Sequence, residues 1–370
     1  MKMTSANRKI IATILILILV ALIVRAIVAS RNSSNSNTTV KVGVLLSLTG
    51  DVAVTGEKLD QGIQLASTDL KSQGIEFNIQ DTHSKPADAI SAAQQLMTTN
   101  KADIFIGPYI PEEAIALSPI AAKENKTLFA LAYCTTSFES LSNVFCAYPT
   151  ASLQLDTIMP VFHDKNVKKV ALVDTNTDFG IDSDKTMKAK GVTNGYEVVF
   201  SEFTKAGERN FRTIVSKVVA TSPDAVFMAS DNPTDAITFM KQLYEAGYKG
   251  VRVTFIDVDN KNLEGFGDSV EGTYAPGIAP SHFSKQFSDL YNAKYNKDPD
   301  YTSAMAWDVA HYIAQTLKEN GGNVSTIGTD IIKTKYMNPA ISNFKYLPDR
   351  TIQYDLEVNI VKNGKYVPIK

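Results

Sequence analysis

VKVGVLLSLTGDVAVTGEKLDQGIQLASTDLKSQGIEFNIQ, residues 40–80, sets a strand, a turn, a helix and a second strand in direct succession, and the fold follows from reading it. Residues 40–48 (VKVGVLLSL) are apolar almost throughout, as a strand is when both faces of its sheet are covered. Residues 49–56 (TGDVAVTG) turn the chain with two glycines, and apolar side chains then recur at helical spacing at Leu59, Ile63, Leu65 and Ala66, stopping near Gly74. Residues 76–80 form the second strand. Working outward, Pro86 opens a helix whose buried stripe is Ile90, Ala93 and Met97, and residues 103–107 (DIFIG) make a third strand. A helix over 111–124 and a fourth strand over 127–132 (TLFALA) complete the run. Strands interleaved with helices in this order build a parallel sheet that collects ligands at the carboxyl ends of its strands.

The pattern restarts after Pro149. A helix is expected over 152–163, a strand over 169–174 (KVALVD), a helix to about 190, and a strand over 197–203. Then come a helix over 211–220, a strand over 225–229 (AVFMA), a helix over 233–246 stopped by Gly247, and a strand over 251–256. Two copies of one architecture is the economical reading. After Gly272 the spacing predicts helices over 281–295 and 304–319, and a closing hairpin of 353–361 and 366–369 turned at Asn363-Gly364. The fold class is therefore α/β, with two doubly wound parallel-sheet lobes.

With 370 residues and 44% hydrophobic content, the chain is long enough for two lobes. A formal charge of −2 leaves no excess of Lys and Arg to neutralise phosphates, so nucleic acid is not an expected partner. The amino end reads as a basic cytoplasmic segment (1–9, with Lys2, Arg8 and Lys9) followed by an apolar helix over 10–29. Residues 10–24 contain one polar side chain, Thr13, and Arg25 follows, which fits either a signal peptide or a retained signal-anchor. Residues 30–39, closing in RNSSNSNTT, make a short flexible tether. The folded part is expected outside the cytoplasm, anchored through residues 10–29.

Cys134 and Cys146 would then lie in an oxidising compartment, as a disulfide or as two small buried hydrophobes. The four histidines, His83, His163, His282 and His311, show no metal-ligand spacing with them. No dinucleotide, phosphate-loop, nucleophile-elbow or zinc-protease motif is present, so neither a cofactor nor enzymatic chemistry is expected. Asp174, Asn176 and Asp178 mimic the start of a calcium loop, but the glycine, Gly180, comes one place late and Lys185 stands at position twelve, so a polar strand-to-helix loop is the preferred reading. Glu112 and Glu113 follow Pro111 in a helix's first turn, where acidic side chains complement the dipole.

Four stretches carry a family resemblance: VKVGVLLSLTGDVAVTGEKLDQGIQLA, IGPYIPEEAIALSPIAAKENKTLFALAYCTT, KVALVDTNTDFG and, most specifically, FTKAGERNF at residues 203–211. With these, residues 40–370 resemble the type I periplasmic solute-binding proteins, in particular the leucine/isoleucine/valine-binding group of amino-acid and amide receptors of ABC transporters. The resemblance implies two lobes joined by a three-crossing hinge, one of residues 40–150 and 276–352, the other of 151–275 and 353–370, closing on a small solute. It also implies ABC permease subunits as partners and a monomeric carrier. The alternative is a membrane-tethered ligand-sensing ectodomain that signals to a partner protein.

Carried over position by position, the family's pocket is partly kept. The hydroxyl expected after the third strand is replaced by Pro111, with Glu112 beside it, whereas Thr135 stands where the family has its threonine. The acidic partner of the ligand ammonium falls on Asp259. The aromatic walls of the second lobe fall on Phe179, which keeps its ring, and on Asp231, which does not. Tyr109 and Tyr133 come from strand ends facing the same cleft. These residues imply a small amine- or amide-bearing ligand less dependent on a free carboxylate than leucine is.

Overall fold

The computed structural model describes residues 39–255, 263–278 and 282–369. The expected apolar helix over 10–29 lies outside them, and among the described residues no helix is long and apolar enough to cross a membrane.

The first half builds β1 (Val40–Leu46), α1 (Ala53–Leu70), β2 (Ile75–Asp81), α2 (Pro86–Gln95), β3 (Ile104–Ile106), α3 (Pro111–Lys123), β4 (Leu128–Tyr133) and β5 (Val144–Tyr148). All five strands are parallel, in the order β2-β1-β3-β4-β5. The second half repeats this with α4 (Ala151–Asp164), β6 (Lys169–Thr175), α5 (Asp178–Asn194), β7 (Glu197–Thr204), α6 (Arg212–Ala220), β8 (Ala225–Met228), α7 (Pro233–Glu245), β9 (Val251–Thr254) and β10 (Thr273–Gly277). Its parallel strands run β7-β6-β8-β9-β10, the same winding as the first sheet. Both sheets therefore have their switch point beside the first strand of the copy.

The chain passes between the sheets three times. After β5 it enters the second sheet. After β10 it returns through α8 (Lys285–Tyr295), α9 (Tyr301–Glu319) and the short α10 (Ile327–Ile331). Helix α9 packs against α1, and Gly62 makes the close approach possible: a Cβ there would lie 2.2 Å from the Ser303 carbonyl oxygen. After a two-stranded ribbon of β11 (Lys345–Tyr346) and β12 (Ile352–Gln353), the chain goes back to add β13 (Glu357–Lys362) and β14 (Lys365–Pro368) antiparallel at the edge of the second sheet.

Several expectations change. The fifth strand of each copy, β5 and β10, was not expected, because a five-residue apolar run has no period to separate it from a loop. Helix α9 starts at Tyr301 rather than at 304, because Asp300 accepts from the Ser303 N–H at 2.9 Å while the Ser303 hydroxyl and the Asp300 backbone pair in return, a capping box. Helix α8 starts at Lys285, capped by Ser284, rather than at 281. The strand expected over 353–361 divides, its first residue, Gln353, pairing with Lys345 in the ribbon. The turn at Asn363-Gly364 forms with φ of 53° and 69°, and Glu271 fixes it by accepting both N–H groups, at 2.9 and 2.6 Å.

Candidate functional site

The carboxyl ends of the two parallel sheets meet, and the side chains that follow those strands form the candidate site. Tyr133 ends β4 and Phe179 lies in the first turn of α5, just after β6. Their rings stack at 3.7 Å between centroids and 19° between planes, so one half of the fold touches the other through them. The stack continues on both sides. Tyr133 packs on Tyr148 (4.7 Å), which meets Tyr109 edge-on (5.7 Å), while Phe179 packs on Phe255 (5.0 Å) and Phe255 on Phe227 (4.9 Å). Tyr109, Tyr133 and Phe179 are each buried to within 1%. The aromatic ends are thus closed on each other, and a solute entering between them must first part Tyr133 from Phe179.

Beside the rings, polar groups join the same two elements. The hydroxyls of Thr135 and Ser137, from the loop after β4, both donate to the Asp178 carboxylate, the second to Oδ1 at 2.5 Å. The Asp178 N–H donates to Glu112 Oε1 at 2.9 Å, and the Thr136 N–H reaches Asp182 Oδ1 at 3.4 Å. Burial pushes the Asp182 carboxyl above the usual range, against the hydrogen bonds from Thr136. Thr177 caps α5 by accepting from the Gly180 N–H at 3.2 Å, which places Asp178 and Phe179 at the helix entrance. Glu112 is therefore more than a dipole complement, since it accepts from the facing helix.

Glu113 departs further from that reading. It is fully buried, and the Thr82 hydroxyl is the donor that faces its carboxyl. The facing Thr82 hydroxyl is engaged with Ser47 at 3.0 Å. Desolvation pushes the Glu113 carboxyl up to about 8, with the neighbouring carboxylates of Glu112, Asp81 and Asp88 adding to the effect.

The remaining expected residues fall as follows. Thr135 is buried with its hydroxyl given to Asp178. Asp231 is half-buried at the end of β8, and the cap of α7 is its neighbour Asn232, which accepts from the Thr234 N–H at 3.0 Å. Asp259 lies outside the described residues. Cys134 and Cys146 are joined by a disulfide, with Cα atoms 5.4 Å apart, that ties the loop after β4 to β5. Sequence reasoning noticed Asp178 only in the calcium-like run and passed over Ser137, because the partners of an acidic residue at a helix start are set by the opposite sheet.

The loop AGERNF, which carries the most specific resemblance, is a structural clasp. Asp235, fully buried in α7, accepts from the Gly207 N–H at 2.7 Å and pairs with Arg209. Gln242 bridges the Phe211 N–H and the Arg209 carbonyl at 2.7 and 2.8 Å. Asp174, placed in the calcium-like run, is fully buried and accepts from the Ala229 N–H at 2.8 Å. Among the described residues, no group of His, Cys, Asp and Glu side chains is arranged to hold a metal ion.

Two sheets of identical winding, meeting at their carboxyl ends and traversed three times by the chain, define a two-sheet binding-protein fold. A family model described as periplasmic binding protein matches residues 39–338, and the chain belongs to that family as a type I periplasmic binding protein of the leucine/isoleucine/valine-binding group. It is 22% identical over 303 residues to Leu/Ile/Val-binding protein homolog 6 of Brucella suis, covering 76% of this chain and 77% of that protein. Among solved structures, the leucine-binding protein LivK of Thermotoga maritima matches with a TM-score of 0.82 at 22% identity, covering 90% of this chain and 98% of that one. A Rhodopseudomonas palustris solute-binding protein in complex with 4-hydroxybenzoate matches with a TM-score of 0.79 at 23% identity, covering 90% and 95%. The family consists of binding proteins rather than enzymes, and its members work outside the cytoplasm.

Proposed function

We propose that this chain captures a small amine- or amide-bearing solute between its two sheets and delivers it to an ABC-type permease, anchored at the membrane through residues 10–29. In this reading residues 40–150 with 276–352 form one lobe and 151–275 with 353–370 the other, moving about the three connections between them. The observation that carries it is the junction itself. Tyr133 on Phe179, and Thr135 and Ser137 on Asp178, are the contacts that a hinge motion would break and a bound solute would replace. A solute shifts such an equilibrium only by binding the closed form better than the open one.

The chemistry of the junction favours the amine and amide class. Among the described residues its acidic groups are Glu112, Asp178 and Asp182, with the exposed Lys185 one turn further along α5. Capture at micromolar concentration needs about −8 kcal/mol. Two or three charge-assisted hydrogen bonds at about 1.5–3 kcal/mol each, with apolar contact against the rings, supply that. Thermal-shift screening of the full-length chain against amino acids, amides, amines and aromatic acids tests the proposal, because a ligand of the closed form raises the melting temperature by mass action. Stabilisation by amines or amides is expected; stabilisation confined to carboxylates without an amine would overturn the assigned class.

A further inference from the structure

We infer that Asp178 is a specificity-determining residue, a built-in carboxylate that makes this site select a cationic head group over a carboxylate. The inference rests on the solute-binding reading above and goes beyond it by assigning the discrimination to one side chain.

Four observations carry it. Of the hydroxyls that the loop after β4 brings to the junction, those of Thr135 and Ser137 are both already donated to Asp178, and that of Thr136 serves Asp182. Asp178 precedes Phe179 at the start of α5, and both meet the same short stretch of the first half, Asp178 at Thr135 and Phe179 at Tyr133. The Asp178 backbone adds no compensating positive group, because its N–H is spent on the Glu112 carboxylate at 2.9 Å. A third carboxylate, Asp182, stands one turn along the same helix and takes the Thr136 N–H at 3.4 Å.

The consequence is electrostatic. Parting the sheets frees two hydroxyl donors and one carboxylate together. A solute carboxylate competing for the hydroxyls must displace Asp178 and then sit beside it, and like charges in such a setting cost several kcal/mol. A solute ammonium instead pairs with the freed Asp178 carboxylate, with the ring faces of Tyr133 and Phe179 adding cation–π attraction. Separating the rings to about 7 Å, two stacking distances, admits one planar group between them.

The test uses compounds that share a phenyl ring and short chain and differ in the head: phenethylamine, phenylalaninamide and 3-phenylpropionate. Titration calorimetry is run on the full-length chain and on the isosteric Asp178→Asn variant, with Asp178→Ser as a second variant of different size. The wild-type chain is expected to prefer phenethylamine or phenylalaninamide over 3-phenylpropionate by at least tenfold. Both variants are expected to reduce that ratio by at least fivefold. A smaller change in a variant that still binds overturns the role given to Asp178 and leaves the solute-binding reading standing. A wild-type chain that binds none of the three overturns this inference, and the screen of amines and amides then decides the broader reading separately.

Discussion

Replacing Glu113 by Gln should make the protein more stable at neutral and alkaline pH, although Glu113 lies in the interior and touches no solvent. Its carboxyl is raised from 4.5 to about 8 by desolvation, with Glu112, Asp81 and Asp88 opposing ionisation as well. In the unfolded chain the same group ionises at its ordinary value. Between those two pH values the folded state holds a proton that the unfolded state has released, so raising the pH favours unfolding. Below about 4.5 both states are protonated and the group contributes nothing; above about 8 both are ionised and the cost is constant. At about 1.4 kcal/mol per pH unit, the wild-type chain loses about 2.5 kcal/mol between pH 5 and 7 and about 4 kcal/mol between pH 5 and 8.5 through this residue. Gln has nearly the same volume and no charge, so Glu113→Gln should lose none of that. Urea unfolding of both proteins at pH 5, 7 and 8.5 measures the difference. Stability curves that run parallel across that range would refute the reasoning and mean that a donor or water reaches the carboxylate.

Three further outcomes follow from the packing. Gly56→Ala should destabilise the fold by about 3 kcal/mol or more, since a Cβ there would stand 2.0 Å from the Ser47 carbonyl oxygen and must push α1 off the end of β1; an unfolding midpoint equal to the wild type would show that the helix yields freely. Phe179→Ala should cost about 3–5 kcal/mol in urea unfolding, because a buried ring packed on both Tyr133 and Phe255 is lost; a cost below about 1 kcal/mol would mean that the two halves are not held together there. Replacing Cys134 and Cys146 together by Ser should lower stability by about 3 kcal/mol, the loop-closure value for a bridge spanning 12 residues; a doubly substituted chain as stable as the oxidised wild type would remove the bridge from the stability of this loop.

How much was legible beforehand differs between scaffold and site. The αβ succession and the repeat were readable from residues 40–80 and their echo after Pro149, and the family from four stretches of resemblance, FTKAGERNF at 203–211 above all. Periodicity and glycine placement are local properties, so the succession of elements can be read from them. The short fifth strands were not, because nothing local marks Val144–Tyr148 or Thr273–Gly277 as strands until a neighbour pairs with them. Of the expected site residues, Tyr109, Tyr133, Thr135 and Phe179 do gather where the sheets meet, yet in a different arrangement: the rings stack on each other and the Thr135 hydroxyl serves Asp178.

The αβ order and the duplication can be read from the amino-acid sequence alone, since each rests on spacing along the chain, whereas the type of binding protein came from motif resemblance. Packing in three dimensions set Glu112 against Asp178, shut Glu113 away from water, and brought two hydroxyls onto one carboxylate. Those residues stand 41 to 66 positions apart where they touch across the junction. Which charges become neighbours, and how much water is left between them, is set by how two separately wound sheets come together, and no local pattern encodes that distance.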